Sequence, residues 1–239
     1  MRTLYPMMAD IAGRPCLIVG GGTVAERKAA GLLDAGAAVT VVSPDVTPRI
    51  AAWAAEGRLS HISRAYESAD GEGMALVFAA TDRPDVNERV HADATSRGQP
   101  VNVADRPELC SFVVPAVWRR GHLLVAVSTS GTSPMASARI RDRIEAAIGD
   151  GIDAFLEFAD EYRRLVQARV PDPARRKELL GRLFADEALE LVRAGRWDSM
   201  RARLLAGLEG GTRMPSAARS GEEREGGEAL AQPDTEGSE

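Results

Sequence analysis

The feature that most restricts this chain is a glycine turn between an unbroken apolar run and a helical stretch. It reads Cys16-Leu17-Ile18-Val19, then Gly20-Gly21-Gly22-Thr23-Val24-Ala25. An apolar run without polar alternation fits a strand buried on both faces, the usual condition of a strand in a parallel sheet. The turn has the pattern G-x-G-x-x-A. Gly20 permits the tight reversal, Gly22 lets the backbone approach a pyrophosphate, and Ala25 lets the helix pack closely on the strand. The helix that opens at Thr23-Val24 offers unpaired amides and the positive end of its dipole to an anion. Strand, turn and helix in this order point to a bound dinucleotide, with Gly20, Gly21, Gly22, Thr23 and Val24 as its first candidate ligands.

The next hundred residues repeat the strand–helix alternation. Apolar runs at Val39-Thr40-Val41-Val42, Leu59 to Ile62, Leu76 to Ala80 and Val101-Asn102-Val103 predict strands. Helical stretches are predicted over Val24 to Leu33, around Ile50 and Trp53, and from about Asp85 to Ser96. The fold class is therefore α/β, with a Rossmann-type parallel sheet. After Asp105 the pattern changes. Phe112 to Trp118 and Leu123 to Ser128 predict an antiparallel hairpin closed by the four residues Arg119-Arg120-Gly121-His122. Ser133 reads as an N-cap and Pro134 as the first residue of a helix to about Ile148. Gly151 to Leu208 is helical, with breaks at Pro171 and Pro173 and near Gly195. The expected division is a dinucleotide-binding domain over 1–112, a hairpin–helix unit over 113–149, a small all-helical C-terminal domain over 150–212 and a tail over 213–239.

Charge supports that division. Of 35 acidic and 30 basic residues, seven acids and two arginines fall between Pro215 and Glu239, so the body is neutral with 28 of each. A Gly-, Ser- and Glu-rich tail of this kind buries too little apolar surface to offset its ordering entropy and is expected to be disordered. A neutral body argues against nucleic acid as the main partner. No apolar run approaches the roughly 18 residues of a membrane helix, and the opening residues lack a secretory h-region. Cys16 and Cys110 are too few for a disulfide framework and lack metal-ligand spacing, so no metal site is expected and a reducing cytoplasm is the simplest setting.

The rest of a dinucleotide site is sought beyond the carboxyl ends of the strands. Ser43-Pro44-Asp45 closes the second strand and places Asp45 slightly beyond the usual position of a ribose-binding carboxylate. Arg49 lies too far along to follow that strand directly as a 2′-phosphate ligand, so the reading favours NAD over NADP. Thr81, Asp82 and Asn102 are further cofactor candidates; Asp82, before Arg83-Pro84, also reads as a helix N-cap. Asp105, where the last strand opens into a loop, is the candidate acid or base, its pKa raised if it lies buried in a cleft. The same residue fits simple turn chemistry before Pro107. Tyr5, Tyr66 and Tyr162 have no lysine four residues later, which sets aside the short-chain reductase pair. His61, His91 and His122 fall in no recognisable catalytic setting.

A second anion-friendly stretch is Ser128-Thr129-Ser130-Gly131-Thr132-Ser133-Pro134, where a strand feeds a hydroxyl- and glycine-rich loop into a helix N-terminus. Arg139 and Arg143 follow one turn apart. Two readings remain open for it: a site for carboxylate or phosphate, or an ordinary capped helix with a solvated basic face.

Taken in order, these motifs resemble the N-terminal module of siroheme synthase and the free-standing precorrin-2 dehydrogenases. The resemblance is carried by the run from Cys16 to Lys28, by Ala79-Ala80-Thr81-Asp82, Val86-Asn87 and Asn102-Val103-Ala104-Asp105, by Ser111-Phe112 and Pro115-Ala116, and by Ser128 to Pro134. It implies NAD-dependent oxidation of precorrin-2 to sirohydrochlorin, on the way to siroheme or cobalamin. It also implies a homodimer formed through the region after the dinucleotide-binding domain, making 113–149 a dimerisation and substrate-binding unit. The substrate's carboxylates would meet Ser128, Thr129, Ser130, Gly131, Thr132, Ser133 and Arg139, and Asp105 matches the family's important aspartate. The family's phosphorylatable serine aligns with Thr129. The fused methyltransferase domain of multifunctional members is not expected here. Two alternatives accompany this reading: a bifunctional enzyme that also inserts iron as a sirohydrochlorin ferrochelatase, and a non-enzymatic NAD-sensing module.

Overall fold

The apolar runs of the first hundred residues become five parallel strands: β1 (Pro15–Val19), β2 (Ala38–Val42), β3 (Ser60–Ile62), β4 (Leu76–Ala79) and β5 (Val101–Val103). Their order in the sheet is β3-β2-β1-β4-β5. The order reverses between β1 and β4, and a crevice therefore opens beyond the carboxyl end of β1. This computed structural model describes residues 3–149 and 151–209; the expected acidic tail lies outside the described residues. The chain divides into two compact units, Met1–Gly149 and Asp150–Glu239.

Three helices cover the sheet, and strand alternation sorts the core into two layers. On one face Cys16, Ile18, Val39, Val41 and Phe78 pack against Ala25, Ala29 and Leu32 of α1 (Thr23–Asp34) and Ile50 and Trp53 of α2 (Pro48–Ala55). On the other, Leu17, Val19, Val77, Ala79, Val101 and Val103 meet Val90 and Ala94 of α3 (Pro84–Ser96), together with Tyr66 and Cys110. α2 starts as its sequence dictates: the Thr47 hydroxyl accepts from the Ile50 amide and Pro48 fills the first turn. The link from β3 to β4 has no α-helix. It is held instead by a bidentate Arg64–Asp70 pair and by the buried Tyr66 hydroxyl, which donates to Asp93.

The same unit carries a separate antiparallel hairpin, β6 (Ala116–Arg120) and β7 (Leu123–Val127), packed on α4 (Pro134–Ile148). The hairpin is tighter than the sequence predicts. Arg119 and Arg120 pair with Leu124 and Leu123 and extend β6, leaving Gly121-His122 as a two-residue turn in which Gly121 has φ +50°. Phe112 is also not part of the strand; its ring packs edge-on against Phe78 at 5.4 Å. Ser133 caps α4 as expected, its hydroxyl accepting from the Ala136 amide.

The second unit is helical: α5 (Ile152–Arg169), α6 (Pro173–Arg182), α7 (Asp186–Arg193) and α8 (Trp197–Glu209). The break at residues 183–185 has no proline or glycine to signal it in the sequence. Phe155, Phe158, Tyr162 and Val166 of α5 form its core with Leu179, Leu183, Met200 and Leu204. Asp172 caps α6 by accepting from the Ala174 and Arg175 amides. No helix among the described residues is long and apolar enough to cross a membrane.

Candidate active site

The glycine turn occupies the crevice at the reversal of strand order, and each of its glycines is held differently. Gly20 has φ +117°, and a Cβ there would lie 2.2 Å from the Ala80 carbonyl oxygen at the end of β4. Gly21 is crowded from the other side, where a Cβ would stand 2.0 Å from the Asp45 carbonyl oxygen. Its own carbonyl accepts from the Thr47 amide. Gly22 is the opposite case. It is exposed, extended (φ −80°, ψ −171°), and a Cβ would find no atom within 4 Å. As the N-cap of α1 it offers no side chain to the first-turn amides. Two glycines are thus required by the protein's own backbone, while the third borders open space in front of uncapped amides. Those amides and that space fit the pyrophosphate of a dinucleotide.

The flanking loops are fixed by buried or half-buried groups. Ser43 is buried at the end of β2, while Pro44 and Asp45 are exposed beside the turn. That loop is tied to β3 and the residue after it: the His61 Nε2–H donates to the Ser43 carbonyl at 2.9 Å, and Ser63 donates to the Pro44 carbonyl. After β4, the buried Asn87 of α3 accepts from both the amide and the hydroxyl of Thr81 and donates back to the Thr81 carbonyl. Thr81 therefore shapes the loop through both its backbone and its hydroxyl. Asp82 is exposed and does not cap α3: the N-cap position is Arg83, whose amide is bound by the Thr81 hydroxyl. The reason is local, since Thr81 sits two residues before Arg83 and closes a hydroxyl turn first.

Beyond β5, Asn102 and Asp105 separate. Asn102 is buried and its amide is engaged at both ends, accepting from Lys28 Nζ at 3.1 Å and donating to the Phe112 carbonyl at 3.0 Å. Asp105 is exposed, contrary to the expected cleft. It adopts φ +59° in a turn closed from the Arg106 amide to the Val103 carbonyl, a conformation that aspartate tolerates better than most residues. Turn geometry and an available carboxylate coexist at this position. The Ser43–Asp45, Gly20–Val24, Thr81–Asp82 and Asn102–Asp105 segments thus leave four neighbouring strands at the same end of the sheet.

The Ser128–Ser133 loop belongs to the hairpin–helix element. The Thr129 hydroxyl is turned inward: it donates to the Ser133 carbonyl at 3.0 Å, accepts from the Ser133 amide and meets the buried Ser137 hydroxyl at 3.1 Å. Ser128, Ser130, Gly131 and Thr132 are exposed, with Ser130 (φ +54°) and Gly131 (φ +88°) both left-handed. Arg139 is exposed on α4. Sequence reasoning missed Lys28, Asn87 and His61. Asn87 and Lys28 lie within the motifs that carry the family resemblance, but only the fold shows which loops they hold. No group of three or more potential metal ligands occurs among the described residues.

Strand order, turn and open helix terminus together define a Rossmann-type NAD(P)-binding protein. An NAD(P)-binding family model matches residues 7–116, the sirohaem biosynthesis central region matches 120–147, and the sirohaem synthase dimerisation region matches 151–208. The siroheme synthase of Methylobacillus flagellatus is 41% identical over 210 residues, 88% of this chain and 45% of that protein. That of Thioalkalivibrio sulfidiphilus is 42% identical over 87% of this chain and 42% of its own length. The chain thus spans less than half of these relatives. A solved structure, "SirC, precorrin-2 dehydrogenase", is matched with TM-score 0.74 at 30% identity, over 86% of this chain and 99% of that one. The chain belongs to the siroheme synthase and precorrin-2 dehydrogenase family. NAD as cofactor agrees both with the matched NAD(P)-binding domain and with the dehydrogenase neighbour.

Proposed function

We propose that this protein oxidises precorrin-2 to sirohydrochlorin with NAD, as a homodimer in the cytoplasm. The observation that carries the reading is the conjunction of the uncapped glycine turn with likeness to a precorrin-2 dehydrogenase along nearly that protein's whole length. The first-turn amides of α1 and the open face of Gly22 would receive the pyrophosphate. Asp45 would face the adenosine ribose, and Gly20 and Thr81 would line the floor beneath the nicotinamide. When bound, NAD supplies the hydride acceptor. The protein's share is positioning and electrostatics. Asp105, exposed at the end of β5, would take the proton that leaves the tetrapyrrole as the hydride departs. Ser128, Ser130, Thr132 and Arg139 would meet the substrate's carboxylates. Ser133 is already committed as a cap, and the inward Thr129 hydroxyl shapes the loop.

Preference for NAD over NADP rests on Asp45 after β2 and on the absence of an arginine directly following it, Arg49 lying further along, 3.5 Å from Glu26 and over the Trp53 ring. The test is incubation of the purified chain with precorrin-2 and NAD, following sirohydrochlorin absorbance with and without Fe2+. NAD-dependent product without metal supports the reading, and no product sinks it. Metal incorporation into sirohydrochlorin in the absence of NAD would add the chelatase activity.

A further inference from the structure

Lys28 lies in the second turn of α1, and its ammonium points along the sheet rather than into solvent. Its Nζ is 3.1 Å from Asn102 Oδ1 and 5.4 Å above the centre of the Phe78 ring. Phe78 and Asn102 are register neighbours on β4 and β5, so the ammonium spans from the cofactor helix to the last strand of the sheet. Asn102 passes the connection on, because its Nδ2 donates to the Phe112 carbonyl. Residues 104–111, with Asp105 near their start, are the loop this brace closes. Two shorter ties close the same loop, from the Ser111 amide to the Val101 carbonyl and from the Val101 amide to the Ser111 hydroxyl.

We propose that Lys28 is a positioning residue, whose ammonium acts through Asn102 to hold the Asp105 loop in register with the helix that receives the cofactor. The inference rests on the reading of Asp105 as the proton acceptor. Three features support it. The bond joins elements 74 residues apart in sequence, so it sets tertiary geometry and not local structure. A charged donor on a buried amide makes a stronger and more directional bond than a neutral one. Burial pushes the Lys28 ammonium down, an effect to which Arg27 adds, while Cys110 and Asp105 pull it back up. A half-buried cation is costly to place where a methionine or leucine would pack as well on Phe78. A stem serving only as packing would not need its charge there.

The test uses the full chain. Lys28→Met keeps the stem and its contact with Phe78 but leaves Asn102 Oδ1 without its donor. In the cofactor-free protein, amide hydrogen exchange over residues 104–112 should accelerate about tenfold or more, while the amides of β1 and β2 stay within about twofold. With precorrin-2 and NAD, kcat should fall about tenfold while the Kd for NAD changes less than about threefold. Aminoethylation of Lys28→Cys, which rebuilds a lysine-like ammonium, should restore both readings, with wild-type protein treated identically as control. Unchanged exchange over 104–112 overturns the inference, as does kcat loss matched by an equal loss of NAD affinity or a failure of the rebuilt ammonium to rescue. If Lys28→Met does not fold, the Cys variant before and after modification decides the same question. Exchange needs no turnover, so a wild-type protein inactive on precorrin-2 would refute the function while leaving the brace separately decided.

Discussion

Gly22→Asp should separate folding from cofactor binding with opposite signs. Gly22 is an exposed N-cap in an extended conformation open to any residue, and a Cβ meets nothing within 4 Å. An aspartate there is a better N-cap than glycine by a few tenths of a kcal/mol, because its carboxylate can accept the free first-turn amides. The cofactor-free protein should therefore melt within about 2 °C of wild type, on the higher side. The dinucleotide would meet the same carboxylate. Two unit charges about 4 Å apart repel by about 4 kcal/mol at an effective dielectric of about 20, and the exposure of Gly22 reduces this to about 2 kcal/mol. That corresponds to about a 30-fold loss of NAD affinity, to which competition for the same amides adds. Melting without cofactor and calorimetric titration with NAD measure the two effects. A variant that melts like wild type and binds NAD within about threefold of it would refute the assignment of the pyrophosphate to this turn.

Gly20→Ala should do the reverse and damage the fold first. It forces a side chain into φ +117° and against the Ala80 carbonyl, so the denaturant midpoint should drop by the equivalent of about 2–4 kcal/mol with an unchanged slope. At Asp105, asparagine is a cleaner probe than alanine. It tolerates φ +59° as aspartate does, so Asp105→Asn should keep stability within about 0.5 kcal/mol while turnover falls about 100-fold; Asp105→Ala should add about 1 kcal/mol of backbone cost. The last prediction concerns pH. The Arg64 guanidinium holds the Asp70 carboxyl below the usual carboxylate range. A folded-state pKa below the unfolded value of about 3.9 contributes stability that is present above that value and lost as pH falls through the folded one. The stability gap between wild type and Asp70→Asn should thus hold steady from pH 6 to 8 and close below about pH 4 in urea titrations.

The elements that could be read from the sequence are those whose signal is local. Cys16 to Val19 and Val39 to Val42 are continuous apolar runs, the Ser133-Pro134 cap is a pair of adjacent residues, and the glycine turn carries its own spacing. Misreadings come where a partner that the local pattern does not name decides, whether near or far along the chain. Arg119 and Arg120 look like loop residues but are drawn into β6 by pairing with Leu124 and Leu123. Phe112 has the composition of a strand yet leaves it for the Phe78 ring. Asp82 has cap chemistry, but Thr81 takes the Arg83 amide first. The site follows the same division. Asp45 and Asp105 are candidates from their place after strands, whereas the contacts of Lys28, Asn87 and His61 reach across 74, 6 and 18 residues. Even Asn87, only six residues from Thr81, needed the fold to show that its side chain turns back and not outward.

The contact between Gly21 and the Asp45 carbonyl has a bearing on how this cofactor site could change over evolutionary time or under directed engineering. The segment proposed to read the ribose lies on the turn proposed to hold the phosphates, with no room at Gly21 for so much as a methyl group beside the Asp45 carbonyl. A switch of dinucleotide preference cannot come from lengthening, shortening or re-bending residues 43–47, since each of those would shift the phosphate turn as well. It has to come from side-chain replacement on a fixed backbone, at Asp45 and at the Glu26–Arg49 pair. Variant libraries restricted to those three positions should yield altered preference far more often than libraries that vary loop length.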